Sequence, residues 1–376
     1  MERALPAIFI MVFSLLAFAG RPACAAGEKT GWQEEWEKTV EAAKKEGQIS
    51  IYGVNGYEGV FGEFQKSYPE IKVSFVGGLG SQHGPRIMNE RRAGKYLADI
   101  YLAGIVTPYT IFYRAKILDP IPPLLILPEV VEESNWWGAR HHYADPEGAY
   151  IFVFQGNVHG GENAYNVKLV EPKGLKSYWD FLHPKWKGKI VARDPRAVST
   201  VAHSLRFFYH HPEIGPEFIR RFFAEMEITL SRDERQMIDW LAVGKFPVAF
   251  FIGGVEEAEK QGLPIKMFEP AGFKEGGAVG PTQGSLSLLN RAPHPNAARL
   301  AINWLLARDG QSAYQRAFAQ VGDIRESMRE DISKDVIPPA YRRIKGARYI
   351  YSGRPEWIDM GPVQKLVNEA LGHRGR

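Results

Sequence analysis

The chain has 376 residues, 45% of them apolar and 24% charged, with a net charge of +4 at neutral pH and a single cysteine. At roughly 150 residues per domain this length predicts two domains or one large one, and the composition excludes wholesale disorder and fibrous repeats. So small and evenly spread a charge excludes an electrostatic nucleic-acid binder, and one cysteine excludes an intramolecular disulfide, a Cys-ligated zinc site and a CxxC redox pair.

Residues 1–25 read as an export signal. Met1, Glu2 and Arg3 precede the apolar stretch Ala7 to Ala19, which is shorter than the ~20 residues that span a bilayer as a helix. Ala23-x-Ala25 fits a signal-peptidase site, giving a mature start near Ala26. A retained anchor and a lipidated Cys24 are the alternatives, although Arg21 stands where a lipoprotein signal normally has an apolar residue. The expectation is a soluble periplasmic protein whose mature chain has no cysteine, comfortable for a domain large enough to bury its own core.

Beyond the leader, helices and strands alternate. Trp36, Val40 and Ala43 recur at helical spacing, Lys44 and Lys45 suit the C-terminal dipole, and Gly47 ends a helix that starts near Gln33. Strands are predicted at 49–53, 71–76 and 99–103, with helices at 60–68 and 86–95 between them. This β-α-β-α-β order predicts a parallel sheet with right-handed crossovers. A second series follows: strands at 190–192, 228–230 and 248–252, with helices at 198–209, 215–226 and 232–242. The uninterrupted apolar run Val248 to Ile252 suits a strand covered on both faces. Stretches 150–154 and 284–289 are placed to carry the chain between two bodies. A late helix, 296–308, continues past a kink expected at Gly310.

Six segments in order now carry a family resemblance. They are the export signal, Trp36 to Gly47 before the first strand, Glu90 to Asp99, Ala164 to Leu169, Pro184 to Ile190, and Asn296 to Leu305. Together they resemble the extracellular solute-binding proteins of ABC importers, in the branch that holds ferric-iron, thiamine and phosphonate or sugar-phosphate binders, over about residues 36–320. The resemblance implies an α/β, two-lobed clamshell of the type II periplasmic-binding-protein kind. Each lobe would be a mostly parallel sheet flanked by helices, with the ligand cleft between lobes. Lobe one would comprise 26–155 plus 277–376, and lobe two 156–276.

In open α/β sheets ligands sit beyond the carboxyl ends of the strands, where free amides and helix dipoles favour anions. The candidate ligand-binding residues are therefore the strand ends: Asn55, Gly56 and Tyr57; Gly80, Ser81 and Gln82; Thr107; and, in lobe two, Pro195, Arg196 and Ser199. Gly80-Ser81-Gln82 is either a donor turn for an anion or a plain helix cap. Arg196, just before a helix, is either an anion clamp or a solvated surface arginine. Arg232 or Arg235 either reaches the cleft or pairs with Asp239 on the surface. Gly284 and Ser285, where the chain returns to lobe one, are counted with the site.

The iron-binding branch resembles this chain at 250–251, but carries adjacent tyrosines there. Phe250 and Phe251 have no oxygen and cannot ligate a hard cation. Phe251 reads instead as an apolar wall or as core filling. The branch's histidine after strand one and glutamate after strand three also lack counterparts at Asn55-Gly56-Tyr57 and Ala103-Gly104. There is no GxxxxGK[ST], HExxH or GxSxG motif, and His141-His142 and His210-His211 are neighbours in sequence that do not face one another on a helix or a strand. The sequence thus predicts no catalytic group, no cofactor and no metal. It predicts a monomeric solute receptor whose partners are a small, anionic organic solute and an inner-membrane permease. The alternatives are a ferric-iron binder with an atypical ligand set, an exported enzyme on the same scaffold, and a sensory module.

Overall fold

The computed structural model describes residues 30–196 and 201–372; the export signal and Ser199 lie outside the described residues. The first sheet has seven strands: β1 (Gln48–Gly53), β2 (Lys72–Gly77), β3 (Ile100–Ala103), β4 (Leu118–Asp119), β5 (His142–Tyr143), β6 (Phe152–Val153) and β14 (Ser285–Leu289). β2, β1 and β3 run parallel, as the alternation predicts, and β14 closes on β3 in the antiparallel sense. α1 (Gly31–Glu46) opens where Gln33 Oε1 accepts the Thr30 N–H at 2.8 Å, and it ends on left-handed Gly47. Buried Asp99 staples the base of this sheet, accepting the Ser50 N–H at 2.7 Å, the His294 N–H at 2.7 Å and a contact from His294 Nδ1 at 2.9 Å.

Two helices start earlier than the periodicity indicates, and both changes matter for the site. α2 (Tyr57–Ser67) begins at once after β1, because Gly56 takes φ 104° and its N–H is accepted by Glu58 Oε2 at 2.6 Å. α3 (Gly80–Arg92) begins at Gly80, with Gln82 Oε1 capping the Leu79 N–H at 2.9 Å. A one-turn α4 (Pro128–Val131) lies beyond β4.

The second sheet holds β8 (Ala164–Asn166), β9 (Ile190–Arg193), β10 (Thr229–Ser231), β11 (Val248–Phe250) and β12 (Ile265–Met267), in the order β10-β9-β11-β8-β12. α5 (Val201–His210), α6 (Gly215–Glu225), α7 (Glu234–Ala242) and α8 (Val255–Lys260) flank it. β11 stops two residues short of the predicted end, because Phe251 turns out of the strand at φ 60°.

Between the sheets the chain crosses twice. β7 (Asn157–His159) leads out of the first lobe and β13 (Gly277–Gly280) leads back, and the two pair antiparallel. β15 (Tyr349–Tyr351) lies parallel on the other edge of β13, so the hinge is a three-stranded ribbon. Gly276 makes room for it: a Cβ there would sit 2.0 Å from Arg348 O.

After β14, α9 (Pro295–Leu306) packs on α1, and α10 (Arg308–Gln320) packs on α2. The break between them falls at extended Ala307 rather than at Gly310. Gly310 sits in the first turn of α10, where a Cβ would lie 2.0 Å from Trp304 O. Helix α11 (Gly361–Gly372) departs from the expectation that all of 277–376 belongs to lobe one. Its stripe of Val363, Leu366, Val367 and Ala370 joins the second lobe's core, packed on α6 and α5. An apolar stripe needs a complementary face, and the phenylalanine-rich side of α6 provides it.

Candidate functional site

Where the lobes face each other lies a cavity of about 680 Å³, within the usual range for a small-molecule site. The first lobe contributes the start of α3 and the loop after β3, and the second contributes α5. The hinge adds His159 and residues 281–283, and the chain leaving β15 adds Ser352, Trp357 and Ile358. Ile358 also borders a second, outer cavity of about 1030 Å³, so the strap formed by residues 352–360 partitions the cleft.

On the first lobe, Gln82 N–H and His83 N–H turn back to Leu79 O, while the Gly80 and Ser81 amides find no protein acceptor among the described residues. Glycine is required at 80 because a Cβ would lie 2.5 Å from Thr107 Oγ1. Beneath them the Tyr101 hydroxyl is buried, which pushes its pKa up to about 12. Gln283 is locked in place: its Oε1 accepts the Gly104 N–H at 3.0 Å and its carbonyl accepts the Tyr57 hydroxyl at 2.8 Å.

On the second lobe, His203 and Arg206 lie three residues apart on α5 and so share the edge that faces the cleft. Arg206 Nη2 donates to Ile358 O at 3.4 Å, and among the described residues no carboxylate comes within 4.0 Å of the guanidinium. Burial pulls its pKa below the ordinary arginine value, yet arginine keeps its proton. His159 Nε2 meets Ser352 Oγ at 2.8 Å, and its ring centroid is 6.4 Å from that of His203. Burial, then the charges of His203 and Arg206, hold the His159 pKa down to about 3. His203 lines the cavity and is exposed, and desolvation and then Arg206 lower its pKa as well. His159 is therefore neutral at pH 7, and Arg206 carries the fixed charge of this cavity. Its lining includes no aspartate, glutamate or lysine among the described residues.

Of the sequence-predicted residues, Gly80, Ser81 and Thr107 line this cavity and the other described ones do not. Asn55 is exposed beside Gly77, Gly56 is the left-handed start of α2, and Tyr57 is buried on Tyr314 and Phe318, because α2 begins three residues early. Gln82 is consumed as a cap. Pro195 is buried, and Arg196 closes back on Asp194 through Nε and Nη2, each at 2.9 Å. Exposed Arg232 adds a contact to the same carboxylate at 3.3 Å. These arginines hold the Asp194 pKa down to about 2 and are neutralised there, outside the described lining of this cavity. Phe251 is core, packed among Phe208, Phe222 and Phe223. Gly284 lies against Gln155, and the Ser285 hydroxyl donates to Ala103 O at 2.8 Å; both sit behind the cavity wall.

Sequence reasoning missed Arg206, His203, His159, Gln283 and Trp357. One signal was present: Arg206 is the lone arginine of α5 and stands between apolar Leu205 and Phe207, a position that needs a reason. The role of Trp357 depends on where the last helix docks, and local periodicity does not report that.

Two lobes joined by a two-crossing hinge, each an α/β sheet, with the cavity between them at the strand ends: this is the architecture of the periplasmic solute-binding proteins. Similar solved structures agree. A putative extracellular solute-binding protein from Bordetella parapertussis aligns with a TM-score of 0.62 at 15% identity, covering 86% of this chain and 99% of that one. A Trichodesmium IdiA (FutA) in complex with iron and citrate ligands aligns at 0.58 and 18%, covering 87% and 98%. Iron-bound HitA from Pseudomonas aeruginosa aligns at 0.55 and 17%, covering 86% and 99%. Among curated proteins, an uncharacterised protein of Haemophilus influenzae is 22% identical over 259 residues, 64% of this chain and 67% of that one. No family model matches the sequence. At these identities the likeness defines the fold, and the ligand must be argued from this chain's own residues.

Two of those neighbours hold iron. Here, among the described residues, no three His, Cys, Asp or Glu side chains gather closely enough to hold a metal, and Phe250 and Phe251 are buried in the second lobe. No described helix is long and apolar enough to cross a membrane.

Proposed function

We propose that this chain is the periplasmic receptor of an ABC importer, capturing a small organic anion between its lobes and delivering it to a permease in the inner membrane. One observation carries the reading: Arg206 stands in the cleft with no carboxylate partner, in a cavity whose described lining has no acidic residue. A desolvated, unpaired guanidinium is costly unless something arrives to pair with it. The open Gly80 and Ser81 amides at the start of α3 face the same space and add donors of the same sign. An anion touching both would bridge the lobes and favour the closed form through its extra contacts there. The export signal expected over residues 1–25 agrees with a periplasmic site of action.

Isothermal titration of the mature chain against carboxylates, phosphonates, sugar phosphates and Fe³⁺ tests this reading. Saturable binding of an organic anion, weakened roughly 10- to 100-fold by Arg206→Met, is the expected result. Tight Fe³⁺ binding with a phenolate charge-transfer band, unaffected by Arg206→Met, would overturn it.

A further inference from the structure

Resting on that reading of the solute as an anion, the inner cavity also restricts the rest of the solute. We propose that the cleft selects an organic anion with an apolar body and no ammonium group, and that Trp357, brought in by the C-terminal strap, selects for that body.

The exclusion of an ammonium group follows from what surrounds Arg206. An ammonium bound beside it would bring three donors and a like charge into a cavity with no acid to receive them. Residues 197–200, which adjoin the site in sequence, are Ala, Val, Ser and Thr and supply none. The acids of the neighbouring outer cavity are engaged elsewhere. Asp145 accepts the Ala149, Tyr150 and Ile151 amides, Asp359 accepts the Gly361 N–H at 2.9 Å, and Glu356 faces Arg354 at 3.8 Å. An amino acid or an organic cation therefore meets no counter-charge among the described residues that line this cavity.

The apolar body follows from the remaining lining. Leu79 and Val106 stand 62% and 45% exposed at the rim, and Ile105, Pro281, Trp357 and Ile358 continue the wall inward. Trp357 is held rigidly: its ring stacks on His210 at 5.2 Å and 15°, with β15 zipped to β13 on one side and α11 docked on α6 on the other. An aromatic wall fixed before binding costs no ordering entropy when the solute arrives. Because the Ile358 carbonyl also accepts from Arg206, the strap sets the head-group cation and the apolar wall in one frame.

The test is calorimetry of the full mature chain with three probes: 3-phenylpropanoate, phenylalanine and propanoate. The expectation is that 3-phenylpropanoate binds at least tenfold more tightly than either of the others. Trp357→Ala should weaken 3-phenylpropanoate at least tenfold while leaving propanoate unchanged, and Trp357→Phe should restore most of the difference. If circular dichroism shows Trp357→Ala to be unfolded, Ile358→Ala takes its place, with a loss again confined to 3-phenylpropanoate. Phenylalanine binding as tightly as 3-phenylpropanoate overturns the exclusion of ammonium groups. An equal effect of the strap variants on propanoate and 3-phenylpropanoate, or none on either, overturns the role of the strap. Failure of the underlying anion reading has a separate signature: 3-phenylpropanoate affinity that Arg206→Met leaves intact, or no binding of any anion at all.

Discussion

Arg206 and Ile358 are 152 positions apart in sequence, yet the arginine's Nη2 donates to the isoleucine's carbonyl oxygen at 3.4 Å. Among the described residues that long bond is the guanidinium's one hydrogen bond, and no acid lines the cavity it faces. The cation is thus aimed but not satisfied, which is the arrangement a receptor for anions needs and a purely structural arginine avoids.

Replacing Arg206 by methionine, similar in length and uncharged, should therefore separate binding from stability. Anion affinity should fall roughly 10- to 100-fold, the value of one or two charge-assisted hydrogen bonds. The melting temperature of the unliganded protein should hold or rise, because a desolvated charge has been removed. Titration calorimetry and thermal melts of the same samples check both halves.

Arg196 should behave in the opposite way. Its guanidinium closes on Asp194, whose pKa is held down to about 2 by the Arg196 hydrogen bonds first and by Arg232 further down. A carboxylate with a folded-state pKa below its unfolded value contributes stability above pH ~4, which is lost as the pH falls towards 2. With solvent around the half-exposed arginine the contribution is ~1 kcal/mol. Arg196→Ala should remove that acid-side stability in urea melts at pH 3 to 7 and leave anion affinity unchanged; a loss of affinity would return Arg196 to the site.

His159 gives a second pH signature. Burial first, then His203 and Arg206, hold its pKa down to about 3 against an ordinary value near 6.5. Between those values the unfolded chain binds a proton that the native protein refuses, so stability falls as the pH drops below 6.5. Subtracting the pH profile of His159→Gln from that of the wild type should reveal this slope. A flat difference would show that His159 is not enclosed as described.

Glycine 80 tests the geometry of the α3 start. A Cβ there would lie 2.5 Å from Thr107 Oγ1, a side chain with little freedom because it is β-branched. Gly80→Ala should cost about 1–3 kcal/mol, as overpacking does. It should also weaken anion binding by shifting the open amides, an effect that Gly62→Ala, in open space on α2, should lack. Chemical denaturation and calorimetry on both variants distinguish the two.

Gln155 holds the hinge. Its Oε1 accepts the Thr282 and Gln283 amides at 3.1 and 3.0 Å, and the side chain is fully buried. Gln155→Leu strands both amides at the returning crossing and should cost about 2–4 kcal/mol. Urea melts measure that loss. Small-angle scattering of the unliganded variant should show a wider spread of lobe separations than the wild type.

Much of the architecture was legible in the residues because it rests on local periodicity. Helical stripes such as Trp36, Val40 and Ala43, and apolar runs such as Val248 to Phe250, place helices and strands wherever burial of one face is the governing demand. The strand-end rule also reached residues of the first lobe that line the cavity, since Gly80, Ser81 and Thr107 follow their strands. It missed at Asn55 and Tyr57, where an early helix start turned the residues away, and at Arg196 and Arg232, where a nearby carboxylate captured the charge. A side chain's local partner is decided over a few ångströms, and spacing along the chain does not report it.

What the sequence determined alone is the alternating α/β pattern, the approximate places of its strands and the absence of familiar catalytic motifs, because each depends on neighbours within one or two turns. Tertiary structure decided which cation stays unpaired, which helix edge faces the cleft, and that the last helix leaves the first lobe to dock on the second. Those outcomes depend on contacts more than a hundred residues apart, where closure of long loops and competition among packing faces choose the partner.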